Sequence, residues 1–132
     1  MLTENSLDFI NNSNIGIHTV SAEGIIEYAN QHELDILGYT EEEYVGHHVS
    51  EFQFDKSCLD IMMNKLAKLE AFTNFPAMVY GKHKIKYILY NSSVYEADGE
   101  FIHTRCFGNE ISENVYHACV LEYKRLLIHR TD

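Results

Sequence analysis

The first third of the chain changes from a helical to a strand-like pattern of apolar residues. A short amphipathic helix is predicted at the N-terminus, and the polar run Asn11 to Asn14 ends it. The segments 15–20 and 25–29 are dense in apolar and β-branched residues, which is typical of strands. Gly24 can adopt a positive φ at the turn between them. This part of the chain therefore predicts a helix followed by a β-hairpin.

The middle of the chain carries signals for helix starts and stops at short intervals. Asn30 can cap a helix that Gly38 ends, and Thr40 with Glu43 has the form of a capping box. A longer helix is predicted from 55 to 70, because apolar residues recur there at helical spacing. Its buried stripe is predicted to be Leu59, Met62, Met63, Leu66 and Leu69.

The second half of the chain alternates as strands do. Strands are predicted for 75–81, 85–95 and 100–107, with a hairpin signal at Asp98-Gly99. One face of the middle strand is predicted to carry Ile85, Tyr87, Leu89, Asn91, Ser93 and Tyr95. A final helix over 112–129 has an apolar stripe made of Tyr116, Cys119, Val120, Tyr123, Leu126 and Leu127. This order of elements predicts an α+β domain with helices packed on one side of an antiparallel sheet.

Composition and charge narrow the classes of function. The chain has 132 residues and a formal net charge of −10. Its length predicts one domain, and its charge argues against unaided binding to nucleic acid or to an anionic membrane. The three cysteines lack the spacing of a disulfide framework or a zinc site. There is no apolar run of ~18 residues and no basic signal peptide, so we expect a cytoplasmic protein without membrane contact.

Three segments of the sequence resemble the PAS domain, the small sensor module of bacterial signalling proteins. Residues 24–30 (GIIEYAN) look like its second strand ending in Asn, and residues 37–46 (LGYTEEEYVG) look like its "LGY-x-x-EE-x-x-G" segment. Residues 90–107 are similar to the last hairpin of PAS domains found in histidine kinases. The resemblance implies a five-stranded antiparallel sheet with helices over one face.

The resemblance also implies how the chain is organised. Residues 1–132 are expected to form a single PAS-like domain, with an N-terminal helix over 1–13 and a PAS core over 14–110. The remaining residues, 111–132, are expected to form an output or dimerisation helix. Glu-Ile-Ser-Glu stands at 110–113, where PAS domains usually have Asp-Ile-Thr-Glu. Ser112 can still cap the final helix.

A ligand pocket is expected where the predicted helices 30–37 and 55–70 close over the inner face of the sheet. The apolar candidates for its wall are Tyr28, Leu34, Leu37, Met62, Met63, Leu66 and Leu89. The polar candidates are Asn30, Asn91, Ser93, His103 and Arg105. The alternative is a filled core, because methionine and aromatic side chains fill gaps well.

The resemblance allows several cofactors to be tested on this sequence. PAS domains that form a flavin photoadduct carry a cysteine where this chain has Val49, so adduct photochemistry is excluded. Haem-binding members use a histidine on the long central helix, and residues 55–70 contain none. Non-covalent flavin remains open. No metal is expected, since His47, His48 and Glu51 are predicted to form an exposed turn.

The final helix is the second candidate for function. It is expected either to dock on its own sheet or to pair with a second copy of the chain, burying Val115, Tyr116, Cys119, Tyr123 and Leu126.

We therefore expect a homodimeric sensor module without catalysis that relays ligand binding to an output domain, such as a two-component histidine kinase. The alternatives are an interaction domain without a ligand and a small-molecule enzyme using His103 and Arg105.

Overall fold

Over residues 3–130, the chain folds as five strands and five α-helices. The computed structural model describes residues 3–130, with side chains described from residue 3 to residue 124. Its elements are α1 (Ser6–Asn11), β1 (Gly16–Val20), β2 (Ile26–Ala29), α2 (Gln31–Leu37), α3 (Glu41–Tyr44), a 3-10 helix (Val49–Glu51), α4 (Lys56–Ala67), β3 (Phe72–Tyr80), β4 (Ile85–Ala97), β5 (Glu100–Ile111) and α5 (Glu113–Arg130). Within these residues, no helix is long and apolar enough to cross a lipid bilayer.

All five strands belong to one antiparallel sheet in the order β2-β1-β5-β4-β3. The first and last hairpins of the chain therefore meet at its centre, where β1 pairs with β5. Two consequences of this register matter for the site. His18 lies directly opposite Cys106, and Cys106 lies opposite Ser92 on its other side. The predicted α+β fold with a five-stranded antiparallel sheet is confirmed.

The predicted helices begin at the expected residues because the capping side chains form hydrogen bonds with the first backbone N–H groups. The Asn30 side chain accepts the Glu33 N–H, and Thr40 with Glu43 forms a complete capping box. Gly38 ends α2 with a φ of 84°, a left-handed conformation that glycine adopts without strain. The end of α4 differs from the prediction. The helix stops at Ala67, and Leu69 is exposed with a φ of 61°, so its place in the buried stripe was wrong.

The core lies between the helices and one face of the sheet, here called the inner face. The inner face carries His18, Val20, Ile26, Phe72, Phe75, Ala77, Val79, Ile88, Tyr90, Ser92, Thr104 and Cys106, all of them buried. Leu34, Ile36, Leu37, Met62 and Leu66 pack on it from α2 and α4. The opposite, outer face of β4 and β5 carries the half-buried or exposed residues of the alternation.

Both edges of the sheet are short or covered. The edge strand β2 has only four residues. The other edge strand, β3, pairs along part of its free side with the segment before α4. There the Phe54 N–H donates to the Met78 carbonyl at 3.0 Å, and the Tyr80 N–H donates to the Phe52 carbonyl at 2.6 Å. This pairing also fixes Gln53 against the core, where its side chain is buried.

The C-terminal helix α5 packs on its own domain along β3 and β4. The buried Tyr116 ring lies 5.1 Å from the Tyr87 ring, and the Tyr123 ring lies 4.8 Å from the Phe75 ring. The Ser112 hydroxyl accepts the Val115 N–H, as expected of a helix cap. This part of α5 therefore docks on the sheet of its own chain, which is one of the two expected arrangements. The side chains of Leu126 and Leu127 lie outside those that the structure describes.

Candidate functional site

A small cavity of about 50 Å³ lies between the inner face of the sheet, the 3-10 helix and α4. Since ~10–15 Å³ of such space holds one water, the cavity has room for about three or four heavy atoms. Its apolar wall is made of Val20, Ile26, Val49, Phe52, Leu59, Met62, Met63, Leu66, Phe72 and Val79. Its polar wall is made of His18, Tyr44, Gln53, Tyr90, Ser92, Thr104 and Cys106. An apolar cavity with a few converging polar groups is the usual form of a ligand site.

Two residues of the polar wall, His18 and Tyr44, form an ionic cluster with Glu33 on α2. His18 Nδ1 lies 2.8 Å from Glu33 Oε2, and both side chains are buried. The ring N–H does not point directly at that oxygen, so the contact is an ion pair rather than an aligned hydrogen bond. The Tyr44 hydroxyl donates to the same oxygen at 2.8 Å. One carboxylate on α2 thus joins β1 to α3.

Gly16 makes room for this carboxylate. A Cβ atom at Gly16 would stand 2.5 Å from Glu33 Oε1, which is closer than packed atoms come. A side chain at residue 16 would therefore displace the Glu33 carboxylate from this position.

The cluster shifts the pKa values of its members in opposite directions. Burial by itself would lower the pKa of His18, but the neighbouring Cys106 and Glu33 outweigh it and raise that pKa well above its usual value. Burial would raise the pKa of Glu33, but the charge of His18 outweighs it and lowers that pKa. Burial, reinforced by Glu33, raises the pKa of Tyr44 well above its usual value. The cluster is therefore an imidazolium–carboxylate pair with a neutral phenol.

The thiol of Cys106 is the third partner of His18. Burial would raise the pKa of Cys106, but His18 and hydrogen bonds from Ser92 and Thr104 outweigh it and lower that pKa. The Thr104 hydroxyl lies 3.2 Å from the Cys106 sulfur. The cavity therefore contains a thiol in surroundings that stabilise its thiolate form.

Asn30 is fully buried and connects three segments of the chain. Its Oδ1 accepts the N–H of Ile17 at 2.9 Å and that of Glu33 at 3.0 Å. Its Nδ2 donates to the carbonyls of Ile10 and Ile15, both at 2.9 Å, and contacts the Ser13 hydroxyl at 3.1 Å. All its hydrogen-bonding capacity is used within the protein, so Asn30 holds α1 and β1 against α2 and is not available to a ligand.

The structure places the other predicted pocket residues in three groups. Met62, Met63 and Leu66 line the cavity. Leu34 and Leu37 belong to the core without lining the cavity, and the Tyr28 hydroxyl donates to Asn11 Oδ1 at 2.8 Å near α1. The third group is on the outer face of the sheet and consists of Leu89, Asn91, Ser93, His103 and Arg105.

The prediction for this third group was wrong because it took the wrong face of β4 and β5. Side chains alternate along a strand, so Tyr90, Ser92, Thr104 and Cys106 face inward and their neighbours face outward. On the outer face the Arg105 guanidinium lies 5.1 Å from the centre of the Tyr95 ring, which also packs on His103 at 5.3 Å.

Sequence reasoning missed His18 and Glu33. One signal for Glu33 was its spacing of four from Leu37, which puts both on one face of α2.

The three residues considered for a metal make local contacts instead. His47 Nδ1 lies 3.1 Å from Glu51 Oε2, and His48 Nδ1 accepts the Ser50 N–H at 3.1 Å to cap the 3-10 helix. Among the residues that the structure describes, no group of three His, Cys, Asp or Glu side chains converges as metal ligands do.

Comparison with known protein families is decisive for the fold. A family model described as a PAS domain matches residues 14–121. This chain belongs to the PAS domain family. No curated protein matches it closely enough to add a specific activity. PAS domains are generally regulatory rather than catalytic modules, so the family supports a sensor role in signalling.

Solved PAS structures share this fold at low sequence identity. The PAS domain of an HTR-like protein from Haloarcula marismortui is 21% identical, with a TM-score of 0.68, covering 80% of this chain and 88% of that one. A PAS domain from a two-component sensor histidine kinase is 17% identical, with a TM-score of 0.69 and coverage of 80% and 93%. A light-oxygen-voltage domain studied with a flavin analogue is 17% identical, with a TM-score of 0.77 and coverage of 92% and 96%.

The residues of this PAS domain do not fit a flavin. A cavity for three or four heavy atoms is far smaller than the tricyclic flavin ring. The rings of Tyr44, Phe52 and Tyr90 occupy part of the wall, and Val49 offers no thiol for an adduct. A ligand of this cavity has to be much smaller than a flavin.

Proposed function

We propose that this PAS domain is the sensor module of a cytoplasmic signalling protein. It binds a small ligand in the cavity and relays a conformational change through its flanking helices to an output domain such as a histidine kinase. The observation that supports this proposal is a continuous chain of contacts from the cavity wall to both flanking helices. A ligand that favours one arrangement of these contacts shifts the population of helix positions.

The contacts toward the N-terminus run through α2. His18 on the cavity wall pairs with Glu33 on α2, and the N-terminal cap of α2 is Asn30. The Asn30 amide in turn donates to the carbonyl of Ile10, which lies in α1. A change in the His18–Glu33 pair can therefore alter how α2 and α1 are held.

The contacts toward the C-terminus are aromatic. Phe72 lines the cavity, and its ring lies 5.4 Å from that of Phe75. The Phe75 ring lies 4.8 Å from that of Tyr123 on α5. Three rings thus connect the cavity to the helix that leads toward an output domain, and closely packed rings transmit displacement because interiors have few voids.

Filling the cavity should mimic a ligand. We expect Met63→Phe, which adds an aromatic ring at the cavity wall, to change the amide hydrogen exchange rates of α5 and α1 by about fivefold or more, which corresponds to a coupling of ~1 kcal/mol. The matched control is Ile61→Phe, because Ile61 is exposed on the same helix. Equal exchange profiles of the two variants would show that the cavity is not coupled to the flanking helices.

The proposed homodimer uses the exposed apolar side chains of the flanking helices. Leu7 and Phe9 on α1 and Val115 and Leu121 on α5 are exposed, whereas Tyr116 and Tyr123 pack within the chain. Burying the first group against a second copy removes apolar surface from water. The same surface favours the second candidate function, an interaction domain that works by dimerisation without a ligand.

A charge in this surface should weaken the dimer. We expect Val115→Glu to raise the dimer dissociation constant by about tenfold or more, because truncated or charged anchor residues cost an interface ~1–2 kcal/mol or more. The measurement is molar mass by light scattering over a range of concentrations. Asn114→Glu adds the same charge at an exposed polar neighbour and should leave the dimer intact. A monomeric wild-type protein at all concentrations would refute the homodimer.

A further inference from the structure

Cys106 has an unusual position in the cavity wall. It lies opposite His18 on β1 and opposite Ser92 on β4, and all three side chains line the cavity. The thiol therefore faces an imidazole from one strand and a hydroxyl from the other. A second hydroxyl, that of Thr104, is two residues away on the same face of β5.

The hydrogen bonds around Thr104 favour a negative sulfur. The Thr104 Oγ1 already accepts the Val20 N–H at 2.9 Å, which leaves its own proton free to donate to the sulfur 3.2 Å away. Glu33 Oε2 lies 2.8 Å from His18 Nδ1 and favours the charged form of this ring. A thiolate in this place receives a hydrogen bond and the attraction of an imidazolium, which are the features of reactive cysteines.

The other two cysteines lack these surroundings. Burial together with Asp55 raises the pKa of Cys58 to about 11, so this thiol is almost entirely protonated at neutral pH. Cys119 lies half-buried on α5, away from the residues that line the cavity. Neither has the paired imidazole and hydroxyls of Cys106.

The cavity also contains an acceptor without a donor. Gln53 lines the cavity with an exposed fraction of 8%, and its Oε1 is buried without a hydrogen-bond partner among the described residues. A buried acceptor of this kind costs free energy unless a donor reaches it. The occupant of the cavity should therefore be very small and should carry an O–H or N–H group.

The size of the cavity and its outer wall limit what can reach the thiol. The space accommodates about three or four heavy atoms, enough for hydrogen peroxide and too little for a bulky hydroperoxide. Val49 and Met63 are only half-buried, so the cavity extends toward the surface between the 3-10 helix and α4. Hydrogen peroxide is neutral, and its hydroxyl groups can donate to Gln53 while one oxygen faces the sulfur.

We propose that Cys106 is a modification site that hydrogen peroxide oxidises to a sulfenic acid. The thiolate sulfur attacks one peroxide oxygen, so that an S–O bond forms and the O–O bond breaks. Sulfur loses two electrons, and the peroxide is reduced to a hydroxide that takes the proton of the His18 imidazolium and leaves as water. The new oxygen stands among Ser92, Thr104 and His18, and it changes the pair that His18 forms with Glu33. The oxidation does not depend on the proposed relay, and only its transmission to α1 and α5 does.

The test measures each cysteine separately in the intact chain. The folded protein is treated with hydrogen peroxide, and catalase removes the excess. The protein is then unfolded in dimedone, which is itself too large for the cavity, and labelled cysteines are quantified by peptide mass spectrometry. We expect Cys106 to be labelled at least about tenfold faster than Cys58. Cumene hydroperoxide, which is too large for the cavity, should oxidise Cys106 only when it is added to the unfolded protein.

Variants test whether the side chains around Cys106, rather than its exposure, determine the rate at which it is labelled. Thr104→Val keeps the shape of the side chain and should slow the labelling of Cys106 about threefold or more, because it removes the hydroxyl beside the sulfur. His18→Gln should slow it further, and circular dichroism verifies that each variant is folded. Labelling of Cys106 no faster than that of Cys58, or labelling unchanged in folded Thr104→Val, would overturn the proposal. This test does not use the amide hydrogen exchange of α5, so failure of the oxidation is distinguishable from failure of the sensor function.

Discussion

Replacing Asn30 with alanine is expected to lower the free energy of unfolding by at least about 3 kcal/mol. The substitution removes the cap of α2 and the amide that donates to the carbonyls of Ile10 and Ile15. Each buried group left without a partner costs ~1–3 kcal/mol, and the lost cap costs ~1 kcal/mol more. Chemical denaturation followed by circular dichroism measures the change.

Asn30→Asp separates the two roles of this residue. Aspartate keeps an oxygen for the N–H groups of Ile17 and Glu33, but it replaces the donating nitrogen with an oxygen that faces two carbonyls. We therefore expect it to be at least as destabilising as alanine. The control is Asn12→Asp, since Asn12 is exposed and makes one such donation, to the Asp8 carbonyl. Wild-type stability of Asn30→Asp would mean that only the cap matters.

Replacing Glu33 with glutamine is expected to cost about 3–5 kcal/mol at pH 6, because it leaves a buried imidazolium without its counter-charge. Glutamine still offers an oxygen to the Tyr44 hydroxyl, so the loss reports mainly on the charge. The exposed pair of His47 and Glu51 supplies the control, since Glu51→Gln should cost less than ~1 kcal/mol. Equal costs for the two substitutions would contradict a buried ion pair.

The same pair predicts how stability depends on pH. The folded pKa of His18 is raised above its unfolded value of 6.5, so its contribution is complete below pH 6.5 and is lost as the pH rises through the folded value. The folded pKa of Glu33 is lowered from 4.5, so its contribution is complete above pH 4.5 and is lost as the pH falls through the folded value. Both contributions are therefore complete between about pH 4.5 and 6.5. The cost of Glu33→Gln should shrink as the pH rises through the folded pKa of His18.

Local signals along the chain predicted the elements of this fold well. Capping side chains such as Asn30 and Thr40 act within three residues of themselves, so their hydrogen bonds can be read from the sequence. The end of α4 was less predictable, because Leu69 continues the apolar spacing although its φ is left-handed. The chain must turn there to enter β3, and spacing alone does not encode that turn.

The face of the sheet that meets the helices could not be read from β4 alone. Both faces of this strand carry large apolar or aromatic residues, with Ile88 and Tyr90 on one and Tyr87 and Leu89 on the other. Only the register with the neighbouring strands and the position of the helices decide which face is buried. The pairing of His18 with Cys106 depends on the same register, because these residues are 88 positions apart in sequence and adjacent only across β1 and β5.

The covered edges of the sheet have a consequence for the behaviour of the protein at high concentration. An open edge strand offers unpaired N–H and C=O groups on which another chain can add a strand, which is how many β-sheet proteins aggregate. Here β2 is too short to be a good template, and Pro76 in β3 lacks an N–H group while residues 52–54 already pair with that strand. Association of this domain through its helices can therefore proceed without competition from edge-to-edge polymerisation.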